Sequence, residues 1–354
     1  MNAAVRQVVL TRRRFLQHAS LAGVAGWTGL GLASRAIAAP ALAFRPGLEV
    51  GQWQTELRAR LRSMLVLPTA ASGPLDARVE RHKETAQYTM DRIQFTAEPG
   101  EVVPGWLLKP KSARGPLPVM ICLQGHSPGM HISIGEARNE VERKSIAGGR
   151  DLALQAVAHG WAALVIEQRA FGERAKPRVK CNDAALFALH QGRPLTGQRV
   201  FDVMRAIDFV ATQRDLDPAR IGCIGNSTGG TVSFYAACVE PRIALAVVSC
   251  SFCTYEDSWL SIPHCACGYL PGIVPVADMP DLAGLVAPRR LLIVAGREDN
   301  LARIAGVERG YRQAREIFAA AGVSDRVRLV VGEGGHQFYP KEAWPVISEM
   351  AREL

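Results

Sequence analysis

Ile221-Gly222-Cys223-Ile224-Gly225-Asn226-Ser227-Thr228-Gly229-Gly230 is the stretch that decides the fold. Residues 221–225 are an apolar run of strand length, and residues 229–239 carry the pattern of a helix. Between them, Gly225 to Gly229 fits G-x-S-x-G. A strand that feeds a helix through so short a turn must bend sharply. Small residues two positions either side of Ser227 let the backbone do so without a Cβ clash. The turn lifts Ser227 to the top of the sheet, beside the amide groups and positive dipole end of the helix. The competing reading is a glycine-rich helix start with an N-capping serine. Strand, turn and helix together make Ser227 the candidate nucleophile.

Outward from this point, strand and helix patterns alternate. Strands are expected at 117–123, 161–166, 243–248, 291–295 and 327–331, with helices at 151–159, 200–213, 304–321 and 342–353. Nearly continuous apolar strands separated by helices imply a mostly parallel sheet with helices on both faces. Upstream, residues 87–95 and 102–108 flank the turn Glu98-Pro99-Gly100-Glu101 and read as a hairpin at the sheet edge. Residues 52–67 have helical apolar spacing through Trp53, Leu57, Leu61, Met64 and Leu65. Two stretches interrupt the alternation, 170–198 (with a short helical piece at 184–189) and 249–280. Long connections in a compact domain are commonly lids or binding loops.

A serine needs a base, and the base needs an orienting group. His336 follows the strand at 327–331 through Gly332-Glu333-Gly334-Gly335, and is the candidate base. Asp299, in Gly296-Arg297-Glu298-Asp299-Asn300 after the preceding strand, is the candidate acid, with Glu298 as runner-up. Asp257 and Asp278 fall in the insertion and fit less well. Two backbone donors are expected for a developing oxyanion: the N–H of Thr228, next to the nucleophile, and that of His126 in Gln124-Gly125-His126-Ser127-Pro128-Gly129.

These residues resemble the α/β-hydrolase superfamily, and more narrowly its dienelactone-hydrolase and acetyl-xylan-esterase-like branch. The carriers are Leu123-Gln124-Gly125-His126, Arg169-Ala170-Phe171-Gly172-Glu173, the elbow from Gly225 to Gly230, and the loops bearing Asp299 and His336. The likeness spans about residues 85–354. It implies an α/β-hydrolase fold and serine ester hydrolysis with no metal and no organic cofactor. Dienelactone hydrolases typically use cysteine as nucleophile, so Ser227 points to the esterase side. The substrate implied is a small-molecule or carbohydrate ester. Alternatives are a prolyl-oligopeptidase-type peptidase and a non-catalytic binding protein on a hydrolase scaffold. Residues 44–116 are too short for the propeller that such peptidases usually carry.

The 354-residue chain has a net charge of +9, but its first 38 residues hold five arginines and no acid. The remainder is only mildly basic. With 6% aromatic residues and no basic stripe, nucleic-acid binding is not expected. Thr11-Arg12-Arg13-Arg14-Phe15-Leu16-Gln17, the glycine-broken apolar run at 19–33 and the small-residue exits at Ala38 and Ala43 look like a twin-arginine export signal. The expected organisation is a cleaved signal at 1–43, an N-terminal helical segment at 44–84 and a catalytic domain at 85–354. The signal would engage the twin-arginine export machinery, place the protein in the periplasm or outside the cell, and leave no stable membrane anchor.

Of eight cysteines, Cys122, Cys223 and Cys238 sit in apolar elements and read as core. Cys250, Cys253, Cys265 and Cys267 lie close together, with Cys181 elsewhere. A disulfide among these five suits an oxidising compartment. His264-Cys265-x-Cys267 lacks the usual zinc-finger spacing, so no metal is expected there. Arg169, just after a strand, is a candidate for binding a substrate carboxylate; its alternative is a structural ion pair with Glu167 or Glu173.

Overall fold

The computed structural model describes residues 39–69, 73–112 and 115–354. The twin-arginine motif lies outside these. Among the described residues, nine strands form one sheet: β1 (Arg78–Glu84), β2 (Tyr88–Glu98), β3 (Glu101–Pro110), β4 (Leu117–Leu123), β5 (Ala162–Ile166), β6 (Leu216–Asn226), β7 (Ile243–Ser249), β8 (Arg290–Gly296) and β9 (Val327–Gly332). Their order is β1-β2-β3-β5-β4-β6-β7-β8-β9. The β1–β2–β3–β5 pairings are antiparallel, and every pairing from β5 to β9 is parallel. This is the α/β-hydrolase arrangement, a large mostly parallel sheet with an antiparallel edge.

Successive side chains of a strand point to opposite faces, and β4 shows the result. Val119, Ile121 and Leu123 enter one core, with residues of helices α1 (Val50–Met64), α5 (Leu195–Ala211), α6 (Thr228–Val239) and α8 (Ile304–Ala320). Met120 and Cys122 enter the other, with Leu152 of α3 (Leu152–Ala158) and Trp344 of α9 (Pro340–Ala351). Strands buried on both faces account for the unbroken apolar runs.

Strand β1 was not expected. Its sequence, Arg78-Val79-Glu80-Arg81-His82-Lys83-Glu84, has no apolar alternation because every residue is exposed. Charges along an edge strand discourage pairing with another chain. Through β1, and through Trp53, Leu57 and Leu61 in the main core, residues before position 85 pack on the same body as the rest.

The chain leaves β4 toward β5 on one side and reaches β6 on the other. The carboxyl ends of β4 and β6 are neighbours, with Leu123 opposite Gly225. In open α/β sheets the crevice beyond such a reversal is where ligands bind.

Candidate active site

Ser227 occupies that reversal point. Its backbone has φ 57° and ψ −124°, a conformation costly for a residue with a side chain and characteristic of functional turns. The turn closes because its glycines have no side chain. A Cβ on Gly225 would lie 2.2 Å from the carbonyl carbon of Gly229, and one on Gly229 would lie 2.1 Å from the Leu123 oxygen. The Ser227 N–H donates to Ser249 O at 2.8 Å, tying the elbow to β7.

His336 and Asp299 come together as the strand order implies. Imidazole Nδ1 is 2.8 Å from Asp299 Oδ2. The carboxylate also accepts the N–H groups of Leu301 (2.8 Å) and Ala302 (3.3 Å). Burial alone would raise the Asp299 pKa, but the hydrogen bond and charge of His336 outweigh it and hold the carboxyl below its usual range. Glu298 is exposed and is not the partner. Arg150 Nη2 donates to His336 O at 3.0 Å and fixes the loop. His336 Nε2 is buried without a hydrogen-bond partner among the described residues, and His336 lines the same cavity as Ser227.

The loop after β4 presses against the elbow: a Cβ on Gly125 would stand 2.9 Å from Asn226 O. Among the described residues, neither the His126 N–H nor the Thr228 N–H has an acceptor. Glu167, at the end of β5, holds this loop. It accepts from Gln124 Nε2 at 2.7 Å and from Met130 N at 3.1 Å. Sequence reasoning gave Glu167 no role here; the signal was an acid placed directly after a buried strand.

The cavity is about 260 Å³ and is walled by the 249–280 insertion through Trp259, His264 and Cys267. Trp259 and His264 stack with ring centroids 4.2 Å apart. Burial, with a smaller contribution from the charge of His336, lowers the His264 pKa. The two insertions meet each other. Ala266 N donates to Asn182 Oδ1 at 3.0 Å, and Thr196 Oγ1 donates to Cys267 O at 2.5 Å. Among the described residues, no two of the cysteine sulfurs are at bonding distance. Cys181 begins α4 (Cys181–His190) and stands beside Cys265, Cys267 and His126, whereas Cys250 and Cys253 lie apart from that group. Burial would lower the His126 pKa, but its contacts with Cys181, Cys265 and Cys267 push it up to about 11.

Arg169 does not reach this cavity. It is buried and paired with Asp202 (2.8 Å) and Glu98 (2.7 Å). Its ion-pair partners are thus other than the Glu167 and Glu173 considered from sequence.

The match to the Abhydrolase family model covers residues 7–317, and the chain belongs to that family. A proposed hydrolase of Bacillus subtilis (strain 168), YtaP, is 26% identical over 271 residues, which are 74% of this chain and 87% of that protein. The fold is similar to that of a proposed acetyl xylan esterase from Bacteroides fragilis NCTC 9343. The TM-score is 0.71 at 19% identity, over 83% of this chain and 78% of the other. It is also similar to the glucuronoyl esterase from Solibacter usitatus, with TM-score 0.66 at 17% identity, over 89% and 97% of the two chains.

Proposed function

We propose that the protein is a serine esterase that cleaves carboxylic esters carried on carbohydrates. One observation carries this reading: His336 has one nitrogen on Asp299 and the other free, in the cavity that Ser227 enters from its strained turn. His336 Nε2 takes the Ser227 proton as Oγ attacks the ester carbonyl. Asp299 holds the ring in the tautomer that leaves Nε2 unprotonated and stabilises the imidazolium that forms. The tetrahedral oxyanion receives the N–H groups of Thr228 and His126. Collapse expels the alcohol, protonated by His336, and leaves an acyl-Ser227. Water, deprotonated by His336, then releases the acid and restores the serine.

The carbohydrate part of the proposal is supported by the esterases whose folds are similar, and by Trp259, whose ring suits packing against a sugar. For export, we propose a twin-arginine signal cleaved after Ala38 rather than after Ala43. Ala41 N and Leu42 N donate to Pro275 O and Val276 O, at 2.9 and 2.8 Å, bonds that the later cleavage would remove. The N-terminal mass of the exported protein checks this.

Ser227→Ala should reduce turnover of p-nitrophenyl acetate and of acetylated xylo-oligosaccharides by roughly 10⁴-fold or more and abolish labelling by a fluorophosphonate probe. Unchanged turnover would sink the assignment, and an unlabelled wild type would favour a binding protein.

A further inference from the structure

A second cluster of reactive side chains converges beside the Ser227 cavity. His126 and the sulfurs of Cys181, Cys265 and Cys267 offer four ligand atoms that all lie within 4.8 Å of one another. The Cys181 and Cys265 sulfurs are 3.9 Å apart, and Cys267 Sγ is 3.4 Å from His126 Nε2. Tetrahedral zinc, with Zn–S about 2.3 Å and Zn–N about 2.0–2.1 Å, spaces its ligands at about 3.8 Å (S–S) and about 3.6 Å (S–N). We propose that these four residues bind one zinc ion in a closed, structural Cys₃His site.

The surroundings fit that ion. His126 Nδ1 is 2.6 Å from Thr228 Oγ1. An Nδ1–H donated to that hydroxyl leaves the Nε2 lone pair facing the sulfurs, which is how outer contacts orient a ligating histidine. Binding converts three thiols to thiolates, releases their three protons and leaves the centre with one net negative charge. Arg199 supplies the opposite charge. It is buried, its Nη2 lies 3.3 Å from Cys181 Sγ, and its Nε and Nη2 are anchored on Arg169 O. Cys267 is buried, Cys181 and Cys265 are half-buried, and His126 is exposed and gives the ion a way in.

A disulfide is the competing chemistry. It would join two sulfurs at about 2.0 Å and leave the third thiol and the imidazole without a partner. Zinc uses all four groups. It also ties three remote segments together: the loop after β4, the start of α4 and the 249–280 insertion.

The test is metal analysis of the full chain, purified without chelator and supplied with zinc. Mass spectrometry should find about one zinc per chain in wild type and in Ser227→Ala, and less than about a tenth of that in Cys181→Ser and Cys267→Ser. Should those variants not fold, wild type stripped and reloaded with cobalt(II) should show thiolate-to-metal charge transfer and tetrahedral d–d bands. Wild type without zinc, cobalt spectra without thiolate bands, or peptide mapping that finds Cys181, Cys265 or Cys267 in a disulfide would each overturn the proposal. Zinc content is read without any ester, so it stands apart from the Ser227 assignment.

Discussion

The two walls of the Ser227 cavity are built in different ways. One consists of loops that directly follow strands: the elbow after β6, the Asp299 loop after β8 and the His336 loop after β9. The other consists of the 249–280 insertion, whose Cys265 and Cys267 meet Cys181 of the 170–198 insertion and His126 of the loop after β4, up to 141 residues away. The first wall is positioned by the sheet. The second is positioned by side chains that hold one another, so its shape depends on chemistry beyond the sheet. A sheet-mounted residue should therefore fail in turnover when altered, and a residue outside that frame in stability or geometry.

The largest effect should separate the two acids of the Asp299 loop. Asp299→Asn should lower kcat by about 10⁴-fold through loss of the imidazole tautomer, while Glu298→Gln leaves it near wild type. Steady-state kinetics on one ester decides, and equal losses would undo the assignment of Asp299. Next comes Arg169. Removing one partner of a buried ion pair costs about 3–5 kcal/mol, so Arg169→Met should unfold at clearly lower urea. Its KM should stay the same for neutral and anionic esters; a rise confined to anionic esters would restore the substrate-binding role.

Glu167→Ala removes the acceptor that holds the loop after β4. It should lower kcat by about 10- to 100-fold, less than the loss of an oxyanion donor outright, with KM little changed. The smallest effect is on pH dependence. The Asp299 carboxyl is held below its ordinary value, so the unfolded chain takes up that proton first as pH falls. Stability from this group is complete above about pH 4 and is lost as pH drops through the lower folded value. Urea melts at pH 5 and pH 3 should show a smaller decline for Asp299→Asn than for wild type.

The sheet-mounted wall was legible in the sequence because its signals are local. An apolar run, a glycine and a polar residue at a strand end place Ser227, Asp299 and His336 without reference to anything remote. The hairpin and the main helices were legible for the same reason. Strand β1 was not, since an edge strand defended by charge lacks the alternation that marks a strand. Arg169 sat at a strand end like the others, yet its partners Asp202 and Glu98 come from α5 and β2, which local pattern does not pair. The thiol cluster was hidden for a related reason. Cys265-x-Cys267 has unhelpful spacing alone, and only the folded chain adds Cys181 and His126.

The hydrogen bonds of residues 41–44 reach into the far end of the 249–280 insertion. Besides the two to Pro275 and Val276, Phe44 N donates to Asp281 Oδ1 at 2.9 Å, and Trp53 Nε1 donates to Leu42 O at 2.9 Å. Residues 41–44 thus act as a strap around the base of the cavity wall. For recombinant work, the safe starting point is at or before Pro40. A shorter product would keep every residue that faces Ser227, but its insertion would be held at one end fewer, and proteases would find residues 270–280 first.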